Sequence, residues 1–301
     1  MKLKQKFCYQ RGARHTFRYK ARRGSNKIQH YIVFNLLAAF FLTIGIQNLL
    51  TAGGYARLNE GTAATDAFRR QAMDEGILSS IQATKDPGKI LGLYWLDTDF
   101  HRKGLSVNLD EEGIEKLEHK WVSRDGWESY VSACRGIWND VRYFPVPQSS
   151  GREEKGVSFV DSWMYERNYG GKRGHEGTDI MADKNERGLY PVVSMTDGVV
   201  RHKGWLEQGG WRLGIVAPGG AYFYYAHMDS YADIQEGDTV SAGDILGYMG
   251  DTGYSKTEGT TGNFPVHLHV GIYIFHNDQE VSVNPYWVLK YLESRKLKCA
   301  Y

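Results

Sequence analysis

One stretch of this chain limits where everything after it can fold. From Tyr31 to Leu50 there is no charged residue, and YIVFNLLAAFFLTIGIQNLL is mostly Ile, Leu, Val, Phe and Ala. Twenty helical residues at 1.5 Å rise span roughly 30 Å, the thickness of a bilayer's hydrocarbon core. A buried helix of a soluble protein is rarely uncharged all round. A cleavable signal sequence is the stronger rival, although its apolar core is usually shorter and its basic region smaller. Residues 1–30 carry Lys2, Lys4, Lys6, Arg11, Arg14, Arg18, Lys20, Arg22, Arg23 and Lys27, with no acid. By the positive-inside rule such an arm stays in the cytoplasm. The pattern predicts a basic cytoplasmic arm over 1–30, a transmembrane helix over 31–52 and an exported remainder, hence a single-pass protein of the cell membrane.

The chain has 37 Lys and Arg against 35 Asp and Glu, a net charge of +2, but all the acids lie beyond the arm. The exported part is therefore acidic, which argues against a nucleic-acid binder and leaves the arm for anionic lipid. Hydrophobic residues at 42% and charged residues at 24% exclude a disordered polymer. Three cysteines are too few for a disulfide scaffold. Cys8 would be cytoplasmic and reduced. Cys134 and Cys299 would face the outside, where pairing is permitted but not dictated by the sequence.

Residues 53–144 read as helical. Trp127, Tyr130, Val131, Cys134, Ile137, Trp138 and Val141 recur every three or four positions. Asp110 before EEGIEKL and Asp86-Pro87 before GKILGLYW look like helix starts. No metal or nucleophile pattern emerges here, so the segment reads as a spacer or packing domain, or as one that binds a partner or occludes a cleft. A Pro-, Ser- and Gly-rich stretch over 145–156 fits a linker. From Val157 to Tyr301 short apolar runs alternate with Gly-rich turns, among them LYPVVSM, WRLGIVAP, AYFYYAHM and VHLHVGIYIF. That rhythm predicts an antiparallel β domain, with APGGA at 217–221 as a hairpin turn.

Three motifs in this β domain hold four of the chain's ten histidines. The other six, His202 among them, read as surface or packing residues. In Gly174-His-Glu-Gly-Thr-Asp-Ile180, His175 and Asp179 are spaced to share a face of a helix or a strand. In Val266-His-Leu-His-Val270, alternation puts His267 and His269 on one face of a strand and Leu268 and Val270 on the other. Two buried imidazoles side by side need partners, which a metal or a proton-transfer task supplies. His227 ends a strand in YYAHMDS. Catalytic zinc takes three protein ligands and leaves a fourth position open. His175, Asp179 and one His of the 267/269 pair supply three, and two imidazoles remain to handle protons and negative charge. Glu176 suggests the base of a helical HExxH, but the fifth residue here is Asp179 and extended chain turns Glu176 away from its neighbours. Asn263 is a candidate for lining the cleft, and Tyr165 and Tyr169 for hydrogen-bonding substrate, though packing or turn roles suit each as well.

The stretch from Tyr169 to Ile274 resembles the lysostaphin-type (M23, LytM-domain) zinc metallopeptidases. The resemblance rests on YGGKRGHEGTDIMA, PVVSMTDGVV, YYAHMDS, EGDTVSAGDILGYMGDTG and GNFPVHLHVGIY, in the family's order. It implies a two-layer antiparallel β-sheet fold, with one Zn²⁺ held by His175, Asp179 and His269. It further implies His227 and His267 as the catalytic pair and peptidoglycan cross-links or stem peptides as substrate. All five positions are retained, which favours an active endopeptidase over a non-catalytic LytM-type scaffold or activator in a cell-wall or division complex. EGDTVSAGDILGYMG also resembles a biotinyl carrier repeat, but no lysine-bearing hairpin tip accompanies it.

Overall fold

The computed structural model describes residues 25–55, 58–101, 109–151 and 155–301. Residues 1–24, which hold most of the basic arm and Cys8, lie outside the described residues. The chain divides into two units, Met1–Gly53 and Gly54–Tyr301.

In the first, helix α1 (Ser25–Tyr55) contains the expected apolar span. Its stretch Lys27–Leu49 is long and apolar enough to cross a membrane and is not buried by protein. Phe34, Leu36, Phe41 and Leu42 are each about two-thirds exposed.

The second unit begins with helices α2 (Asp66–Arg69), α3 (Gly76–Ile81), α4 (Pro87–Asp97), α5 (Glu111–Trp121) and α6 (Trp127–Trp138). Helix α4 starts at the expected Asp-Pro: the Asp86 carboxylate accepts from the Lys89 amide at 3.1 Å, and Pro87 fills the first turn. Asp110 caps α5 likewise, accepting from the Gly113 amide at 2.8 Å. Helix α6 buries the predicted stripe from Trp127 to Trp138. Cys134 lies in that stripe with its thiol free, and Cys299 is free as well.

The strands in chain order are Gln148–Ser149 (β1), Val157–Phe159 (β2), Glu166–Arg167 (β3), Arg173–Gly174 (β4), Thr178–Ala182 (β5), Pro191–Val193 (β6) and Gly198–Leu206 (β7). They continue with Gly210–Val216 (β8), Tyr222–Tyr231 (β9), Thr239–Val240 (β10), Ile245–Met249 (β11), His267–His276 (β12), Gln279–Val283 (β13) and Lys298–Cys299 (β14). The main sheet runs β10-β7-β8-β9-β12-β5-β2, with β13 on β12 and with β11 on β9 and β6. All its pairings are antiparallel, as expected; the small β1–β14 pair is parallel. The turn at 217–221 joins β8 to β9, closed by the Ala217 amide donating to the Ala221 carbonyl at 2.9 Å. Helix α7 (Tyr286–Leu292) follows the sheet.

Alternation gives the sheet two faces. Leu268, Val270 and Ile272 of β12 and Phe223 and Tyr225 of β9 are fully buried. That side belongs to one continuous core shared with the helices. Trp138 of α6 meets Tyr291 of α7 edge-on at 5.9 Å, and Phe144 meets Phe159 of β2 at 5.6 Å. Residues 58–101 and 109–144 thus share their core with the sheet. The stretch expected as a linker holds a buried Val146 and the paired strand β1.

Candidate metal centre and catalytic cleft

The other face of the sheet carries the chemistry. Asp179 of β5 and His269 of β12 sit directly opposite one another, and Ala226 of β9 faces His269 from the other side. His175 lies just before β5, in the connection from β4, so the four-residue spacing to Asp179 is neither a helix face nor a single strand. The chain bends between them at Gly177. A Cβ there would stand 2.5 Å from His269 Nε2, so only glycine lets the loop pass this close.

Three side-chain atoms converge. His175 Nε2 lies 3.1 Å from Asp179 Oδ1 and 3.0 Å from His269 Nδ1, and His269 Nδ1 lies 3.0 Å from Asp179 Oδ1. The far nitrogen of His175, Nδ1, is 3.2 Å from the backbone carbonyl of Ser162, which only accepts, so that nitrogen carries the proton. His175 Nε2 is then a lone pair aimed at a carboxylate and a second imidazole. Such a group of ligand atoms repels itself unless a proton or a metal cation lies among them. Two nitrogens and one oxygen at this spacing fit a divalent metal of zinc type, with a further position open.

The remaining pair flanks this centre. His267 Nδ1–H donates to the Pro265 carbonyl at 2.7 Å, and His227 Nδ1–H donates to the Thr252 carbonyl at 2.7 Å. Each ring therefore presents Nε2 as its working nitrogen. The rings are 4.7 Å apart, wedged by Phe264, and His267 Nε2 is 3.8 Å from Asp179 Oδ1. His227 reaches the site through a break in the β8–β9 ladder: two residues, Ala226 and His227, oppose the single Arg212. Such a bulge redirects a side chain. His227 sits at φ +62°, a left-handed conformation that is strained for a histidine.

Burial, reinforced by His267 and His269, pushes His227 well below the usual histidine range. Burial also lowers His269, outweighing the Asp179 bond that raises it. Burial alone would raise Asp179, but the close contacts with the His175 and His269 imidazoles hold its carboxyl far below the usual range. Its second oxygen, Oδ2, accepts from the Arg167 guanidinium of the β3–β4 hairpin.

From this centre a cleft of about 520 Å³ runs along the sheet. Its floor is tyrosine: Tyr222 and Tyr224 of β9 and Tyr273 of β12, with ring centroids 5.9–6.4 Å apart. Gly214 makes room, since a Cβ there would overlap the Tyr222 hydroxyl. His202, expected as a surface or packing residue, lines this cleft and meets Tyr222 at 6.0 Å. Glu176 lines it too, but Arg69 of α2 holds its carboxylate at 2.9 Å, so it is no free base. Asn263 donates to the Gly253 carbonyl at 3.3 Å and does not line the cleft. Tyr165 lines a separate groove beside Trp163 and Trp287. Tyr169 stacks on Tyr254 at 4.8 Å, and its hydroxyl donates to Glu207 at 3.2 Å.

The same architecture occurs in the crystal structure of a protein from Ruminococcus gnavus ATCC 29149, provisionally assigned as a glycyl-glycine endopeptidase LytM. The two superpose with a TM-score of 0.78 at 58% identity, over 82% of this chain and 98% of that one. This chain belongs to peptidase family M23. The M23 family model matches residues 173–285, which hold the metal-type cluster and both flanking histidines, and the LytM N-terminal domain matches residues 53–140. Two curated relatives of this M23 chain are endopeptidases by name. One is the L-Ala–D-Glu endopeptidase of Bacillus subtilis (strain 168), 44% identical over 60% of this chain and 55% of that protein. The other is the glycyl-glycine endopeptidase ALE-1 of Staphylococcus capitis, 33% identical over 35% of this chain and 31% of that protein. The match thus spans about half the length of the first relative and a third of the second.

Tyr273 could have been found in the sequence by stepping in twos from His269 along β12. Ser162, Arg167 and Arg212 reach the site from other elements and leave no local pattern.

Proposed function

We propose that this chain is a membrane-anchored zinc metalloendopeptidase that hydrolyses peptide bonds of bacterial peptidoglycan, in cross-links or stem peptides. The observation that carries this reading is the convergence of three acceptor atoms, from His175, Asp179 and His269, beside two imidazoles whose tautomers are fixed by backbone carbonyls. His175 Nε2, Asp179 Oδ1 and His269 Nδ1 would hold one Zn²⁺. When bound, the ion supplies Lewis acidity, polarising the scissile carbonyl and making water a better nucleophile near neutral pH.

The protein's own residues do the rest. His227 and His267 each offer an Nε2 lone pair over the site. One of them removes a proton from the attacking water, and the imidazolium so formed donates to the oxygen that gains negative charge or to the departing amine nitrogen, which receives the proton. Water's oxygen bonds to the carbonyl carbon as the C–N bond breaks, and the amine leaves neutral. Arg167 keeps Asp179 Oδ2 occupied, so Oδ1 alone faces the centre. The tyrosine floor gives an extended peptide an aromatic surface to lie on.

Helix α1 supports the anchoring. Its exposed Phe, Leu and Ile side chains are unfavourable in water and suit a bilayer core. We read the basic arm as cytoplasmic and residues 53–301 as extracytoplasmic. We keep the proposed division into a helical segment over 53–144, a junction over 145–156 and the peptidase domain over 157–301.

The test is incubation of the zinc-loaded full chain, in detergent, with purified peptidoglycan, with and without a chelator, followed by mass analysis. Peptide fragments with new amino termini that vanish with chelator are expected. An unchanged sacculus with a protein that binds zinc at one equivalent would leave a scaffold in place of an enzyme.

A further inference from the structure

Among the described residues, two cations of the cleft have no protein partner. Arg173 of β4 and Arg212 of β8 both line it, and among the described residues neither guanidinium has a hydrogen-bond or ion-pair partner. Each keeps one nitrogen out of solvent and unsatisfied, Nε in Arg173 and Nη1 in Arg212. Burying part of a guanidinium without a partner is unfavourable, and a bound anion would remove the penalty. Of the two acids that line the cleft, Glu176 is held by Arg69, and among the described residues Glu280 makes no ion pair with either arginine.

Arg212 is placed to act close to the chemistry. It is the single residue opposite the Ala226–His227 bulge, so it stands one strand away from a proposed catalytic imidazole. Neighbouring strands are about 4.8 Å apart, and an extended peptide advances about 3.4 Å per residue. A carboxylate gripped by Arg212 therefore lies within one or two residues of the bond being cut. A guanidinium matches a carboxylate through two parallel N–H···O bonds and gains nothing comparable from a glycine bridge.

We propose that Arg212, assisted by Arg173, determines specificity by reading a substrate carboxylate, so that this cleft takes an acidic peptide in preference to a neutral glycine bridge. This rests on the peptidase reading above and adds the class of bond.

The test uses the zinc-loaded full chain in detergent with three synthetic peptides: L-Ala–γ-D-Glu–L-Lys with a free α-carboxylate on the glutamate, the same peptide with that carboxylate amidated, and pentaglycine. Cleavage of the free acid should exceed cleavage of the amide by about ten-fold or more, with pentaglycine poorer still. In Arg212→Gln the acid-to-amide ratio should fall toward one, with zinc content and circular dichroism unchanged. Arg212→Lys should restore part of the ratio. Equal cleavage of acid and amide, preference for pentaglycine, or a ratio that survives Arg212→Gln overturns the proposal. If no peptide is cleaved, the peptidase reading fails, and binding of the same peptides by calorimetry decides the inference. Tighter binding of the acid that is lost in Arg212→Gln upholds it; equal binding overturns it.

Discussion

The three converging atoms and the two flanking imidazoles separate binding from turnover. His269→Ala removes a lone pair from the centre and should lose bound zinc. His267→Ala leaves all three acceptors and should keep most of the metal while losing turnover. Metal analysis of the two purified variants checks this, and the reverse pattern would exchange their roles. His227 allows a second prediction. Its folded value is lowered, so as pH falls through about 6.5 the unfolded chain takes up a proton that the folded chain refuses. Metal-free protein should lose stability from about pH 7 downward, by up to about 1.4 kcal/mol per pH unit for each such proton. His269 contributes in the same direction. Asparagine tolerates φ +62° and can donate to the Thr252 carbonyl, so His227→Asn should fold, lose turnover and flatten this dependence. Thermal melts in chelator at pH 5, 6 and 7 measure it. An unchanged slope would show that His227 is not the residue responsible.

Among the elements, local signals were legible and long-range ones were not. Asp86 and Asp110 announced their helices because a cap acts within four residues. The His267–His269 alternation gave β12 its two faces for the same reason. The β8–β9 bulge could not be read, because it is a mismatch of register between two strands. Nor could the bond from Arg69 to Glu176, made across 107 positions of chain. The HxxxD spacing indicated that its two residues meet but not how, since the bend at Gly177 replaces the single strand. Asp86 also does more than its local role suggests. Besides capping α4, it accepts from Arg135 of α6 at 2.8 Å and from Asn139 at 2.9 Å. Burial raises its pKa, yet these bonds lower it overall. Asp86→Ala loses the cap and the tie between two helices, and should cost about 2–3 kcal/mol in urea denaturation. Asp86→Asn should cost less, because its amide oxygen still accepts.

At the scale of the molecule, the shared core changes what the helical segment is for. Trp95, Trp138, Phe144 and Tyr291 belong to the same apolar cluster as Leu268 and Ile272 of the sheet. Helices and sheet should therefore melt in one transition, followed alike by far-ultraviolet dichroism and tryptophan fluorescence. Zinc at a hundred times its dissociation constant should raise the stability by about 2.7 kcal/mol. Separate transitions for helix and sheet signals would show two independent bodies instead.

Asp179, His269 and Ala226 form one row across β5, β12 and β9, with His269 in its middle. His269 is paired on both sides, and its amide opens only when the whole fold opens. In deuterated water the His269 amide should be among the slowest in the molecule to exchange, so this member of the cluster keeps its backbone place until global unfolding, while His175, carried by the β4–β5 connection, moves with that loop.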